Sequence, residues 1–128
     1  MVNTELLHPQ EVEVLYMIPM IRRYLTLYMK DLKLSQKEIA EKLCVKESTI
    51  SQYVTQKRAS QFDFDSSIKE EIKSSAGRIK CQADLVRETQ RLLELTRQSE
   101  ALCEVHKKVA ECIPQDCDFC DLHPKATA

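Results

Sequence analysis

Apolar residues recur at helical spacing along most of the chain. Val12, Val14, Leu15 and Ile18 give an apolar face to residues 10–18, and Pro9 suits a first helical position. Pro19 can start a second helix over 20–30, with Ile21, Tyr24, Leu25 and Tyr28 on one face. Residues 32–34 then read as a turn.

Ser35-Gln36-Lys37-Glu38 is a capping box. The serine oxygen can accept from the Glu38 N–H, and the glutamate can return the bond. Ile39, Ala40 and Leu43 continue as an apolar stripe. A second short helix is expected over 47–54, with Ile50, Tyr53 and Val54 facing inward. Residues 59–64 read as a linker whose Phe62 and Phe64 dock on the preceding helices. Asp65 can cap a helix through Ile68 and Ile72. Gly77, the only glycine, suits a helix end or hinge.

Residues 78–110 contain no proline and predict one long helix, closed by Ile113-Pro114. Residues 123–128 are expected to fray. Leu85, Leu92, Leu95, Leu102 and Val109 fall on steps of seven, three and four, with Glu88, Ser99 and His106 in the same seam. This broken heptad predicts packing against a partner helix, hence a homodimer. The alternative is a helix packed on its own N-terminal head.

One glycine in 128 residues leaves little material for hairpins, so the fold is expected to be all-α. The expected organisation is a head over 1–60, a linker and short helix over 61–80, and a long helix with a cysteine-rich tail over 81–128. Net charge is -1, from 19 basic and 20 acidic side chains. Contact with a polyanion must therefore come from a local patch. Lys46, Lys57 and Arg58 flank the second short helix, and Arg22 and Arg23 lie earlier. No apolar run is long enough to span a bilayer, so no membrane partner is expected. Met1-Val-Asn-Thr-Glu-Leu-Leu7 lacks the marks of a secretory signal. A cytoplasmic location follows as an expectation, and six cysteines there favour metal or redox chemistry over structural disulfides.

Residues 35–53 read as two crossed helices joined by a tight turn, with Ala40 where the crossing needs a small side chain. Ile39, Leu43, Val45, Ile50 and Tyr53 would seal the shared core. The outer face of the second helix carries Glu47, Ser48, Ser51 and Gln52. Glutamine can pair with adenine, glutamate can accept from cytosine, and serine suits either role. Gln36 can meet a phosphate at the N-terminus of the first helix.

The pattern Ser35-Gln36, Ile39-Ala40, Leu43, Val45, Ile50-Ser51, Tyr53 and Lys57-Arg58 resembles the helix-turn-helix family of phage repressors and Xre-type regulators. The resemblance covers roughly residues 18 to 60. It implies binding to double-stranded DNA, with Glu47, Ser48, Ser51 and Gln52 at base edges and Gln36, Lys46 and Lys57 on phosphates; Arg58 completes the basic flank. The chain departs from the family at three places: Cys44 and Gln56 stand where glycine is common, and Lys46 where a capping serine is usual. A weaker resemblance links the whole chain to small prokaryotic regulators that carry a cysteine-bearing tail.

That tail reads Cys103-x8-Cys112-x4-Cys117-x2-Cys120. Its last three cysteines have the C-x4-C-x2-C spacing of plant-type ferredoxin ligation. Thiolates suit an iron–sulfur cluster or, as the alternative, zinc. On an unbroken helix Cys103 and Cys112 would lie about 13 Å apart. Either the helix unwinds near Lys107 or Cys112 is not a ligand. Cys103-x2-His106 with Cys117-x2-Cys120 is a second possible set, and Cys81 an alternate ligand. Cys44 reads as a small apolar filler.

Cys117-Asp-Phe-Cys120 lacks the βαβ setting of a thiol oxidoreductase. A chain with one glycine also has no phosphate loop. The expectation is a regulator that is not an enzyme, takes no small-molecule substrate, and senses redox or metal state. The alternatives are a DNA-binding regulator with a structural zinc site, a helix pair used only as a protein-interaction adaptor, and a tail whose cysteines are a redox-active dithiol or inert.

Overall fold

The computed structural model describes residues 8–55 and 63–109. These residues form helices and, among them, no strand. The order is α1 (Pro9–Val12), a π-helical turn (Glu13–Met17), α2 (Ile18–Asp31), α3 (Gln36–Leu43), α4 (Glu47–Thr55), α5 (Ser66–Arg78), α6 (Gln82–Gln98) and α7 (Ala101–Val109). Among the described residues, no helix is long and apolar enough to cross a membrane.

Pro19 occupies the first turn of α2, as its fixed φ favours, but the chain does not break before it. Glu13–Met17 widens into a π turn, in which the Ile18 N–H reaches back to the Glu13 carbonyl. A widened turn is one way for a helix to pass a proline, whose ring would strike the carbonyl four residues back. The expected apolar face changes as a result. Val12 is buried, whereas Val14 and Leu15 are exposed.

α2 lies along α5 and also touches α3, α4 and α6. Its Met20, Ile21, Leu25 and Met29 are buried. They share one core with Ile39, Leu43 and Ile50 of the α3–α4 pair and with Ile68 and Ile72 of α5. Asp65 caps α5 by accepting from the Ile68 N–H at 3.0 Å, as its side chain predicts. Phe64 docks in the core at 4 % exposure; Phe62 lies outside the described residues.

The expected long helix is three separate pieces of chain. Gly77 lies inside α5, which continues through Arg78. At Ile79 the backbone turns extended and its side chain is buried. Three hydrogen bonds close this corner. The Ile79 N–H donates to the Ser75 carbonyl, the Ile79 carbonyl accepts from Lys42 Nζ at 3.3 Å, and the Lys80 N–H donates to Asp84 Oδ2 at 3.0 Å. A helix can end without glycine or proline where side chains supply the missing bonds. A second break falls at Ser99 and Glu100, where Glu100 takes φ 68°.

Because of these breaks α6 and α7 fold back on the rest of the chain. α6 packs on α5, α2 and α3, and α7 packs on α1, the π turn and α6. The heptad seam is therefore satisfied within the chain. Leu92, Leu102 and Val109 are buried, as are Glu88 and His106, while Leu85 and Leu95 are packed at the edge of the same core. This core runs from Val12 to Val109. The seam that predicted a partner helix is used by the chain's own head.

Glu88, in that seam, is held by a polar cluster between α5 and α6. The Ser75 hydroxyl donates to Glu88 Oε1 at 2.6 Å. Arg91 donates to Glu88, to Ser75 and to Glu71, with the last at 2.7 Å. Burial pushes the Glu88 carboxyl up, but Ser75, Arg91 and Arg78 outweigh it and hold the group below the ordinary carboxylate range.

Candidate nucleic-acid interface

α3 begins where the capping box places it. The Glu38 N–H donates to Ser35 Oγ at 3.1 Å, and the Ser35 N–H donates to Glu38 Oε1 at 3.2 Å. Its inner face, Ile39, Ala40 and Leu43, is buried. Ala40 has the small side chain that a close helix crossing requires.

The turn after α3 is a left-handed cap. Cys44 takes φ 56° and ψ 40°, and the Val45 N–H closes the cap on the Ala40 carbonyl at 3.1 Å. Position 44 is thus one where glycine is favoured for a physical reason, yet a cysteine occupies it. Cys44 is exposed and is not the apolar filler expected of it. Its exposure leaves Val45 to fill the turn, half-buried against the core.

α4 starts after Lys46, whose carbonyl accepts from the Thr49 and Ile50 N–H groups. Lysine has no side-chain acceptor to cap those N–H groups, which a serine would have. Ile50 and Tyr53 are buried at 0 % and 6 % exposure and fix α4 against α2 and α3. Val54, expected to face inward, is half-buried. On the outer side Lys46, Glu47 and Ser48 are exposed, while Ser51 and Gln52 are half-buried.

Gln36, the first residue of α3, is also half-buried. Its Oε1 accepts from the Ser51 hydroxyl at 3.1 Å, which links the first turn of α3 to the middle of α4. The pair α3–α4 therefore brings Gln36, Lys46, Glu47, Ser48, Ser51 and Gln52 into one structural unit. Lys57, Arg58 and the departure at Gln56 lie outside the described residues.

The chain that follows is anchored by a cluster around Asp63. Asp63 accepts from the Tyr24 hydroxyl and from Lys69 Nζ, the latter at 3.0 Å. Lys69 also sits over the Tyr24 ring, 5.4 Å from its centroid. Tyr24 stacks on Tyr28 and tilts against Phe64, both at 6.1 Å. Burial pushes the Asp63 carboxyl up, but Tyr24 and Lys69 outweigh it and lower its pKa. Helical spacing places Tyr24 on the apolar face of α2, whereas its hydroxyl makes the polar contact to Asp63.

The thiol residues are distributed differently. Cys81 is exposed at the corner before α6, and Cys103 is half-buried on α7. His106 is buried at 5 % exposure in the core-facing side of α7. α7 stays helical through Val109, so the unwinding considered near Lys107 does not occur. Among the described residues no group of three or more His, Cys, Asp or Glu side chains converges to hold a metal ion. Cys112, Cys117 and Cys120 lie outside those residues.

No curated protein and no solved structure matches the chain. Residues 25–63, from the middle of α2 through α3 and α4 to Asp63, match the helix-turn-helix family.

Proposed function

We propose that the protein is a sequence-specific, DNA-binding transcriptional regulator in which α4 enters the major groove. One observation carries this reading. α4 is anchored on one side by Ile50 and Tyr53 and carries Glu47, Ser48 and Gln52 on the other. Such a helix holds hydrogen-bonding side chains rigidly against a scaffold, as base-edge readout requires. The family match over the same residues supports it. Lys46, exposed at the start of α4, supplies a charge for the phosphate backbone. With a net charge of -1, non-specific attraction is weak and base contacts must carry much of the preference.

The test is selection from a pool of randomised duplexes with the full chain, followed by a salt titration on the enriched sequence. One enriched motif, bound less tightly as salt rises, is the expected result. An enriched inverted repeat would support binding as a homodimer. Absence of both enrichment and salt-dependent binding would overturn the reading.

A finer reading adds metal or redox sensing. The spacing Cys112-x4-Cys117-x2-Cys120 favours it, with an iron–sulfur cluster first and zinc second. Cys103 is the only cysteine on α7, and helix from Cys103 to Val109 spans about 9 Å. Cys103 joins such a centre only if the chain reverses after Val109. His106 is a poor alternate, since its ring belongs to the core. Elemental analysis of protein purified without oxygen decides the matter. Iron with inorganic sulfide and visible absorption supports the cluster, stoichiometric zinc without colour supports zinc, and neither metal removes this reading.

A further inference from the structure

Serines 48 and 51 lie one helical turn apart on α4, yet the structure treats them differently. Ser48 is exposed, whereas Ser51 is half-buried and its hydroxyl proton is already engaged by Gln36 Oε1 at 3.1 Å. We infer that Ser51 is a positioning residue that sets the polarity of the Gln36 amide, and that it does not read a base. The inference rests on the DNA-binding reading above.

The argument follows from the chemistry of the two groups. A hydroxyl has one proton to donate, and that of Ser51 is spent inside the protein. A primary amide carries an acceptor oxygen on one side and two N–H donors on the other. With its oxygen turned to Ser51, Gln36 offers donors away from α4. Donors alone suit a group that only accepts, and a phosphate oxygen is such a group. Gln36 is also the first residue of α3, whose opening N–H groups favour a negative charge nearby. Without Ser51 the amide is free to flip, and half of its orientations would aim an oxygen at the phosphate. The hydrogen bond thus fixes an orientation that the Gln36 side chain cannot fix by itself.

The two roles predict different binding data. A base reader, when truncated, relaxes preference at one position; a positioning residue for a phosphate contact weakens all sequences alike. The experiment compares the full-length protein with Ser51→Ala, Ser51→Thr, Gln36→Ala and the double variant. The probe is a duplex pool randomised over about 20 base pairs, two turns of DNA. Ser51→Ala should weaken binding by about twofold across the pool, the factor lost when half of the amide orientations are incompetent. Its ranking of sequences should stay that of the parent. Ser51→Thr, which keeps the hydroxyl, should bind as the parent does. The double variant should bind no worse than Gln36→Ala alone, because the two residues act as one unit.

A loss confined to one base position, or losses that add in the double variant, would overturn the inference while leaving DNA binding intact. Failure of the parent protein to bind any duplex would instead remove the reading on which it rests, and the inference with it. Thermal melts of all four variants identify a folding defect. If Ser51→Ala unfolds, Ser51→Thr together with Gln36→Ala still decides: preserved ranking with uniform loss in Gln36→Ala supports the inference, and a changed ranking refutes it.

Discussion

Arg97, in the last turn of α6, donates from Nη2 to Glu13 Oε1 at 2.9 Å across a sequence separation of 84 residues. Glu13 is buried and sits in the π turn, while Arg97 is partly exposed. The contact fastens the start of the described chain to the break that precedes α7. Removing the arginine leaves a buried carboxylate without its cation, the costly half of such a pair. Solvent at the arginine moderates the loss. Arg97→Met should lower stability by about 1–3 kcal/mol in urea melts, and adding Glu13→Gln should recover part of it. Strictly additive losses in that cycle would show that the two groups are not coupled.

The chain's one glycine and its left-handed turns are in different places. Gly77 sits inside α5, and a β-carbon there meets nothing within 4 Å. Meanwhile Lys33, Cys44 and Glu100 adopt positive φ with side chains present. Gly77→Ala should therefore raise stability by about 0.5–1 kcal/mol. A non-glycine residue pays about 1–2 kcal/mol in this conformation, and glycine's looser unfolded chain gives back roughly 0.5–1. Cys44→Gly and Glu100→Gly should each gain a few tenths of a kcal/mol on balance. Urea midpoints measured at constant slope test all three; a loss on Gly77→Ala would point to a need for flexibility at the end of α5.

The same residues explain which parts of the fold could be read in advance. Ser35 with Glu38, and Asp65 with Ile68, are local rules carried out by residues three apart. Ile39, Ala40, Ile50 and Tyr53 form a stripe that has one sensible burial. Those signals placed α3, α4 and the start of α5. At the Ile79 break the local bond from the Lys80 N–H to Asp84 does not by itself announce a helix end, and the Glu100 break has no proline or glycine to mark it. The first is completed by Lys42, 37 residues away, and by the burial of Ile79. Only tertiary packing supplies those partners, so a helix-forming sequence over 78–110 reads as one helix. The heptad spacing was real but ambiguous, since a seam looks the same whether its own head or a second chain covers it. At the candidate interface, residue identity marked the exposed face of α4, while the bond from Ser51 to Gln36 depends on the crossing of two helices.

Two carboxylates make the fold sensitive to acid. Glu88 and Asp63 both have pKa values lowered in the folded chain, against burial that acts the other way. The unfolded chain therefore binds protons at higher pH than the folded one. Their contribution is complete above the unfolded carboxylate range, about pH 4 to 4.5, and is lost as pH falls through the lower folded values. Melting temperature should hold from pH 7 to 5 and fall below about pH 4. Glu88→Gln removes a charge-assisted bond to Ser75 and Arg91 and should cost about 1–3 kcal/mol at pH 7. Its deficit should shrink in acid, where the parent's Glu88 is protonated too. A deficit that stays constant down to pH 3 would show that the charge of Glu88 contributes nothing.

Lys46 and Gln52 separate the two kinds of DNA contact that α4 can make. Lys46 is exposed just before the helix, and its ammonium can approach only as a point charge. Gln52 stands half-buried on the outer side, one turn beyond Ser48, with an amide that matches the adenine edge. Lys46→Ala should weaken every sequence alike and reduce the slope of log affinity against log salt by about one. Gln52→Ala should leave that slope unchanged and reduce discrimination at one base pair by about 1–3 kcal/mol. Affinity measured on single-substitution variants of the selected duplex, at several salt concentrations, distinguishes them. If Gln52→Ala lowered affinity uniformly and Lys46→Ala altered the preferred base, α4 would be docked in a different orientation, with Lys46 at the base edges and Gln52 against the backbone.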